Sequence, residues 1–296
     1  MVTFNRRLPR FAYVKPASLG EALDLLQDKE KGRVQVYAGG TDVIPRLKAR
    51  LIPPPEFLLD LKGIPELDYI AYDKDKGLRI GALATIAAVM NHAAVQGSFG
   101  ILAQGAHSIA STQIQNRGTI AGNICNAIPS ADSVPALFCL GAKLICVSSR
   151  GERSIGIEDF FTGLRQTVLG PGELLKEIQI PDMPAGGRGV YIKLGTRSRM
   201  DLAVVGVGVV VAVSDGLFRD VRIGLGSAAP KPIRAPRAEA ALRGQKVGEQ
   251  AIAEAGRIAA EESSPRSSHR ASAEYRRLMV EVLVKRALGQ ALKAEE

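Results

Sequence analysis

Apolar residues first fall on a helical period at Leu19, Ala22, Leu23, Leu25 and Leu26, and Ser18 with Glu21 three residues later forms a capping box. A helix is expected there. Val34-Gln35-Val36-Tyr37-Ala38 reads as a short strand broken by Gly39-Gly40, and residues 41–50 turn helical with Pro45 near the start. Pro53-Pro54-Pro55 is a stiff connector into a strand at 58–61. Residues 69–80 read as a hairpin around Lys74-Asp75-Lys76-Gly77, followed by helices near 85–92 and 100–109.

From 113 to 131 the chain is glycine-rich and loop-like, then apolar from 134 to 140, with strands at 143–147 and 174–180. The stretch 181–189 (PDMPAGGRG), dense in Pro and Gly, is the clearest boundary. Strand-like runs at 190–194, 202–213 and 217–225 follow. Their short turns, Ser214-Asp215-Gly216 the tightest, predict an antiparallel meander. The tail is helical at 235–242, 249–262 and 271–291. The expected class is α+β. A two-part α/β domain spans 1–180, divided at about residue 60, and an antiparallel sheet with helices spans 187–296.

Composition narrows the classes. At roughly 150 residues per domain, 296 residues make about two domains. An apolar fraction of 46% against 23% charged is that of a folded chain with a core. The net charge of +9 divides into an excess of 5 over residues 1–50 and 4 over 231–296, around a neutral middle. Neither end interleaves its basic residues with aromatics and Trp is absent, so nucleic-acid binding is not expected. A basic patch facing an acidic partner subunit accounts for the charge equally well. The longest apolar run, 202–213, is short of the ~20 residues a membrane helix needs. No apolar segment follows the basic N-terminus, so a cytoplasmic location is expected. Three cysteines without CxxC spacing argue against a disulfide framework or a zinc site.

The common catalytic signatures are missing: no GxxxxGK[ST] loop, no GxGxxG after a strand, no HExxH and no GxSxG. Two glycine-containing loops remain. Ala38-Gly39-Gly40-Thr41-Asp42 follows a strand, and paired glycines let a backbone approach an anion closely. A plain strand-to-helix turn would explain that loop alone. The second, Asn116-Arg117-Gly118-Thr119-Ile120-Ala121-Gly122-Asn123, continues through Asn126 to Asp132 with hydroxyls and amides suited to a diphosphate. Asp132 is placed to accept from a ribose or adenine group. Together the loops suggest a dinucleotide held without a Rossmann motif.

These stretches, with Phe11-Ala12-Tyr13-Val14-Lys15-Pro16, Ser130-Ala131-Asp132, Phe160-Phe161-Thr162-Gly163, Tyr191-Ile192-Lys193 and Ser272-Ala273-Glu274-Tyr275-Arg276-Arg277, carry a resemblance over nearly the whole chain. The chain resembles the FAD-binding medium subunit of the xanthine dehydrogenase and carbon monoxide dehydrogenase family, the molybdenum hydroxylases. The resemblance implies an FAD-binding domain of the vanillyl-alcohol-oxidase-like (PCMH) type, then a C-terminal domain of the CO-dehydrogenase flavoprotein type. It implies that Val36, Tyr37, Ala38, Gly39, Gly40, Thr41, Asp42 and Val43 wrap the FAD diphosphate, and that Ile109 and Ala110 line the flavin side. Thr119, Gly122, Asn123, Asn126, Ala131 and Asp132 would hold the diphosphate, ribitol and adenosine portions, with Leu174 and Leu175 packed against the cofactor. Lys193 would stand near the isoalloxazine ring, where a cation favours reduced, anionic flavin, and Arg197 could act similarly.

By the same resemblance the chain is an oxidoreductase subunit with no catalytic residue acting on the organic substrate. A large molybdopterin-binding subunit and a small [2Fe–2S] subunit would be its partners, in a dimer of heterotrimers. Electrons would pass from the [2Fe–2S] clusters to FAD and on to NAD+, a quinone or O2. A stand-alone FAD-dependent oxidoreductase of the same fold is the alternative, and a flavin-free assembly module a more remote one. Two departures stand out. The family writes Thr-x-Gly-Gly-Asn where this chain has Ala121, which costs about 1–2 kcal/mol if that position needs positive φ and nothing otherwise; FAD binding is expected to survive. Thr41-Asp42 stands where carbon monoxide dehydrogenases tend to have His-Ser, which points mildly away from a CO substrate. Cys125, Cys139 and Cys146 cannot assemble the four-thiolate cluster of the hydroxybenzoyl-CoA reductase type.

Overall fold

A computed structural model describes residues 7–28, 32–197 and 200–293. The basic N-terminal stretch discussed above thus lies partly outside the described residues. The first unit is β1 (Ala12–Val14), α1 (Leu19–Gln27), β2 (Val34–Tyr37), α2 (Val43–Lys48) and β3 (Phe57–Asp60). Its three strands run parallel in the order β1-β3-β2. Ser18 Oγ accepts from the Glu21 N–H, while the Glu21 carboxylate accepts from the Ala17 N–H, so α1 starts where its cap residues stand.

The second unit follows: β4 (Ile70–Asp73), β5 (Gly77–Gly81), α3 (Ile86–Asn91), α4 (Ala93–Ser98), α5 (Gly100–His107), α6 (Thr112–Gln115), α7 (Ile120–Cys125), α8 (Ser133–Cys139), β6 (Lys143–Ser148), β7 (Gly151–Gly156), α9 (Ile157–Phe160), β8 (Phe161–Gly163), β9 (Gln166–Thr167) and β10 (Leu174–Ile180). Its main sheet is antiparallel, ordered β4-β5-β10-β6-β7. Residues 113–131, which read as loop, contain most of α6 and all of α7. Ser111 and Thr119 cap these short helices by accepting from Ile114 N and Gly122 N. Glycine content hid them because Gly118 and Gly122 flank and interrupt what is otherwise a buried apolar turn of Ile120, Ala121 and Ile124.

The third unit is the expected meander, β11 (Arg188–Leu194), β12 (Val205–Ser214), β13 (Leu217–Gly226) and β14 (Ile233–Arg234), then α10 (Pro236–Leu242), α11 (Glu249–Glu262) and α12 (Ala273–Lys293). The sheet is covered on both faces, which explains why β12 is apolar without alternation. Val205, Val207, Val209 and Val211 join Val221, Ile223 and Leu225 in a core under α10, α11 and α12. The alternate positions face the second unit. There Gly208 and Gly224, paired across β12 and β13, let the α8 backbone come close: a Cβ on either would stand 2.9 or 2.4 Å from the Pro135 carbonyl oxygen. On β11, the same alternation sends Val190, Ile192 and Leu194 toward the tail helices and Tyr191 and Lys193 toward the second unit.

Candidate functional site

The three units meet around one cleft of about 460 Å3, within the range of small-molecule sites. Both glycine loops line it. From the first come Val36, Ala38, Gly39, Gly40, Thr41, Asp42 and Val43; from the second, Thr119, Gly122, Asn123 and Asn126. Ile109, Ala110, Asp132, Leu174 and Leu175 line it as well. Tyr37, Ala131 and Lys193, also expected there, stand behind these lining residues. Ala131 is buried. Tyr37 lies beneath Gly40 (φ 73), whose missing side chain would strike its ring.

Sequence reading missed the reason for Gly39. A Cβ there would stand 2.1 Å from the Arg117 carbonyl oxygen and 2.7 Å from the Gly118 Cα. Glycine at 39 therefore lets the two loops touch one another, whatever it does for a ligand. Lys62 supports the first loop from below. Its Nζ donates to the Ala38 carbonyl at 3.0 Å and to Asp60 at 2.8 Å, and sits 3.6 Å from the Tyr37 ring centroid. Tyr13 donates to the same Asp60 carboxylate.

A second clamp joins the units. Asp132, buried, accepts from Tyr191 Oη at 2.7 Å and from Lys193 Nζ at 2.7 Å. Lys193 also donates to the Ser108 carbonyl at 2.9 Å, and the Gln104 side chain accepts from the Tyr191 N–H at 2.7 Å. Burial pushes the Asp132 carboxyl up against the opposing pull of Lys193 and Tyr191, and burial with the adjacent carboxylate pushes the Tyr191 phenol well up. Lys193 is thus an ion-pair partner rather than a free cation on the cleft wall, and two of the Asp132 lone-pair directions are taken by this clamp. The 107–110 turn that Lys193 touches is also held by buried Gln115, which donates to His107 and Ile109 carbonyls at 3.1 and 2.8 Å. Ala110 in this turn has φ 45, an uncommon conformation kept at the cleft edge.

At the other end, Arg46 lines the cleft beside Asp42 and Asn126. Burial raises the Asp42 carboxyl, while Arg165, Asn126 and Arg46 draw it down. Burial and the neighbouring Arg165 lower Arg46. Asn126 Nδ2 is buried without a hydrogen-bond partner. Cys125 also lines the cleft, yet burial raises its thiol to about 12, so it is protonated and unreactive at neutral pH. Burial raises Cys139 to about 12 and Cys146 to about 11. Among the described residues, no group of three or more His, Cys, Asp or Glu side chains could hold a metal ion. Among the same described residues, no helix is long and apolar enough to cross a membrane. Met200, Asp201 and Leu202 reach the cleft from the segment after β11. Asp201 is held down to about 2, chiefly by the Thr196 hydroxyl. Nothing in the spacing of Arg46, Arg165, Gln115 or Asp201 marked them.

The chain is similar to known proteins over nearly its whole length. Residues 9–183 match the model of the FAD binding domain in molybdopterin dehydrogenase, and 190–291 that of the CO dehydrogenase flavoprotein C-terminal domain. The glyceraldehyde dehydrogenase medium chain of Sulfolobus acidocaldarius is 32% identical over 95% of this chain and 98% of its own length. The xanthine dehydrogenase FAD-binding subunit of Escherichia coli O157:H7 is 32% identical over 96% of each chain. Carbon monoxide dehydrogenase from Hydrogenophaga pseudoflava contains a chain that superposes with a TM-score of 0.92 at 34% identity, covering 97% of this chain and 98% of that one. With both domain models in order and relatives matched along nearly their whole length, the chain belongs to the FAD-binding medium subunits of the xanthine dehydrogenase and carbon monoxide dehydrogenase family, the molybdenum hydroxylases.

Proposed function

We propose that FAD lies in this cleft and that the chain is the electron-transfer subunit of a molybdenum hydroxylase. It would work beside a large molybdopterin-binding subunit and a small [2Fe–2S] subunit and serve an external acceptor such as NAD+, a quinone or O2. The observation that carries the reading is the convergence of both glycine loops on one cleft with the unfilled Asn126 Nδ2 donor in its wall. The donor set fits the cofactor. Asn126, Arg46 and the 39–42 backbone suit an anionic diphosphate, while Val36, Ile109, Ala110, Leu174 and Leu175 offer an apolar wall to a ring system. When bound, flavin supplies exchange between one-electron donors and two-electron acceptors. The chain's own part is to bind, orient and shield. Lys193 acts through Asp132: it keeps the buried carboxylate compensated, and the pair holds β11 against the cleft.

The first test is the absorption spectrum of the purified chain with its released cofactor identified. FAD bands near-stoichiometric with protein, and co-purification with molybdopterin and [2Fe–2S] subunits, are expected. A colourless chain that ignores added FAD would overturn the reading, and flavin binding without such partners would favour a stand-alone oxidoreductase.

Ala121 sits inside α7, and its φ is not positive, so its methyl carries no backbone strain. Ala121→Gly is expected to leave FAD affinity within about twofold and to cost about 0.5–1 kcal/mol of stability through helix propensity. Fluorescence titration and urea unfolding check both. A tenfold gain in FAD affinity would show that the methyl obstructs the site.

A further inference from the structure

The orientation of one amide in the cleft is decided by a residue outside its wall. Arg165 Nη1 donates to Asn126 Oδ1 at 2.7 Å. A guanidinium has donors only, so it meets the oxygen end of the amide and turns the NH2 end away from itself. That end faces Asp42, which lines the cleft as Asn126 does. There Nδ2 is buried and stops short of hydrogen-bond geometry to the Asp42 carboxyl, close enough to draw that group down but leaving the donor for a ligand to complete.

The backbone is shaped to deliver this contact. Ala127, next to Asn126, has φ 47, and Arg165 has φ 58; both are left-handed conformations uncommon for residues with a Cβ. The Arg165 N–H donates to the Ala127 carbonyl at 2.7 Å, pinning the β8–β9 turn over the end of α7. Arg46 stands on the cleft wall close enough that Arg165 lowers its pKa. The region therefore gathers two cations and one unfilled donor around a single carboxyl group.

We propose that Arg165 is a positioning residue for the flavin diphosphate: it fixes the Asn126 amide as a donor toward the cleft, beside Arg46. The inference rests on the FAD reading above. Phosphate oxygens carry charge and accept without donating, which matches a fixed N–H donor between cations. A ribitol or ribose hydroxyl would be indifferent to which end of the amide it met.

The test uses the full chain stripped of flavin, titrated with FAD and with riboflavin, which lacks phosphate. Arg165→Gln is expected to weaken FAD at least tenfold and to leave riboflavin within about twofold. Asn126→Ala should do the same. The double variant should be no weaker than the weaker single one, because one residue acts through the other. Arg165→Lys, which keeps a cationic donor for Oδ1, should recover most of the affinity. Equal losses for FAD and riboflavin, single losses that multiply in the double variant, or unchanged FAD binding by Arg165→Gln would each overturn the proposal. An unaltered chain that binds neither flavin would overturn the underlying FAD reading instead.

Discussion

Lys193→Met is expected to destabilise the chain by about 3–5 kcal/mol at pH 8, the range found when one partner of a buried ion pair is removed. The side chains of Lys193 and Asp132 are 14% and 7% exposed, so water replaces the lost ammonium only in part. Tyr191 alone would remain to satisfy the carboxylate. The deficit should depend on pH with a definite sign. Burial already raises the folded-state pKa of Asp132, and removal of the cation raises it further. A carboxyl group with a raised folded pKa is best tolerated below its unfolded pKa, and stability falls as pH rises through the folded value. The gap between the original and variant chains should therefore be small at pH 4 and widen toward pH 8. Urea unfolding at the two ends of that range measures it. Asp132→Asn with Lys193→Met removes both charges and should recover part of the loss. A variant within about 1 kcal/mol of the original at pH 8, or a gap constant with pH, would contradict the clamp.

That clamp shows where the sequence stopped being legible. Asp132 and Lys193 were each marked as binding residues, but their contact spans 61 positions. Alternation along β11 puts Tyr191 and Lys193 on one face, and the register of β11 against β12 sets that face toward the second unit. No local pattern encodes that register. By contrast, the α1 cap, the hairpin near residue 74 and the C-terminal meander were readable, because each is fixed by residues within a few positions. The double-faced burial of β12 was not read from the sequence. Its apolar run was read as a strand but not as one covered on both faces, and the glycines within it had no stated role until the α8 backbone was found against Gly208 and Gly224. Both glycine loops line one cleft, yet the reading of Gly39 as room for a ligand left out the neighbouring loop. Arg165 was invisible for the same reason as the clamp: its partner, Asn126, lies 39 positions away.

Gly39→Ala should then have the second large effect, for a reason that owes nothing to backbone freedom. Gly39 is absent from the positive-φ residues, so alanine can adopt its conformation. The obstacle is the 2.1 Å to the Arg117 oxygen and 2.7 Å to the Gly118 Cα, both backbone atoms that no rotamer change can move. Relief requires the loops to part by about an ångström, the scale on which close packing is lost. Overpacking of this kind costs about 1–3 kcal/mol of stability. The effect on FAD should be larger, because both walls of the cleft shift at once: a loss of at least a hundredfold is expected, about 2.7 kcal/mol. Gly118→Ala gives the contrast. Its Cβ would meet Ile114, Ile86 and Thr41 at 3.1–3.2 Å, distances that small adjustments relieve, so FAD affinity should fall by less than about tenfold. Flavin titration of the two variants separates the cases. If Gly39→Ala bound FAD as tightly as Gly118→Ala, contact between the loops would not be what shapes the cleft.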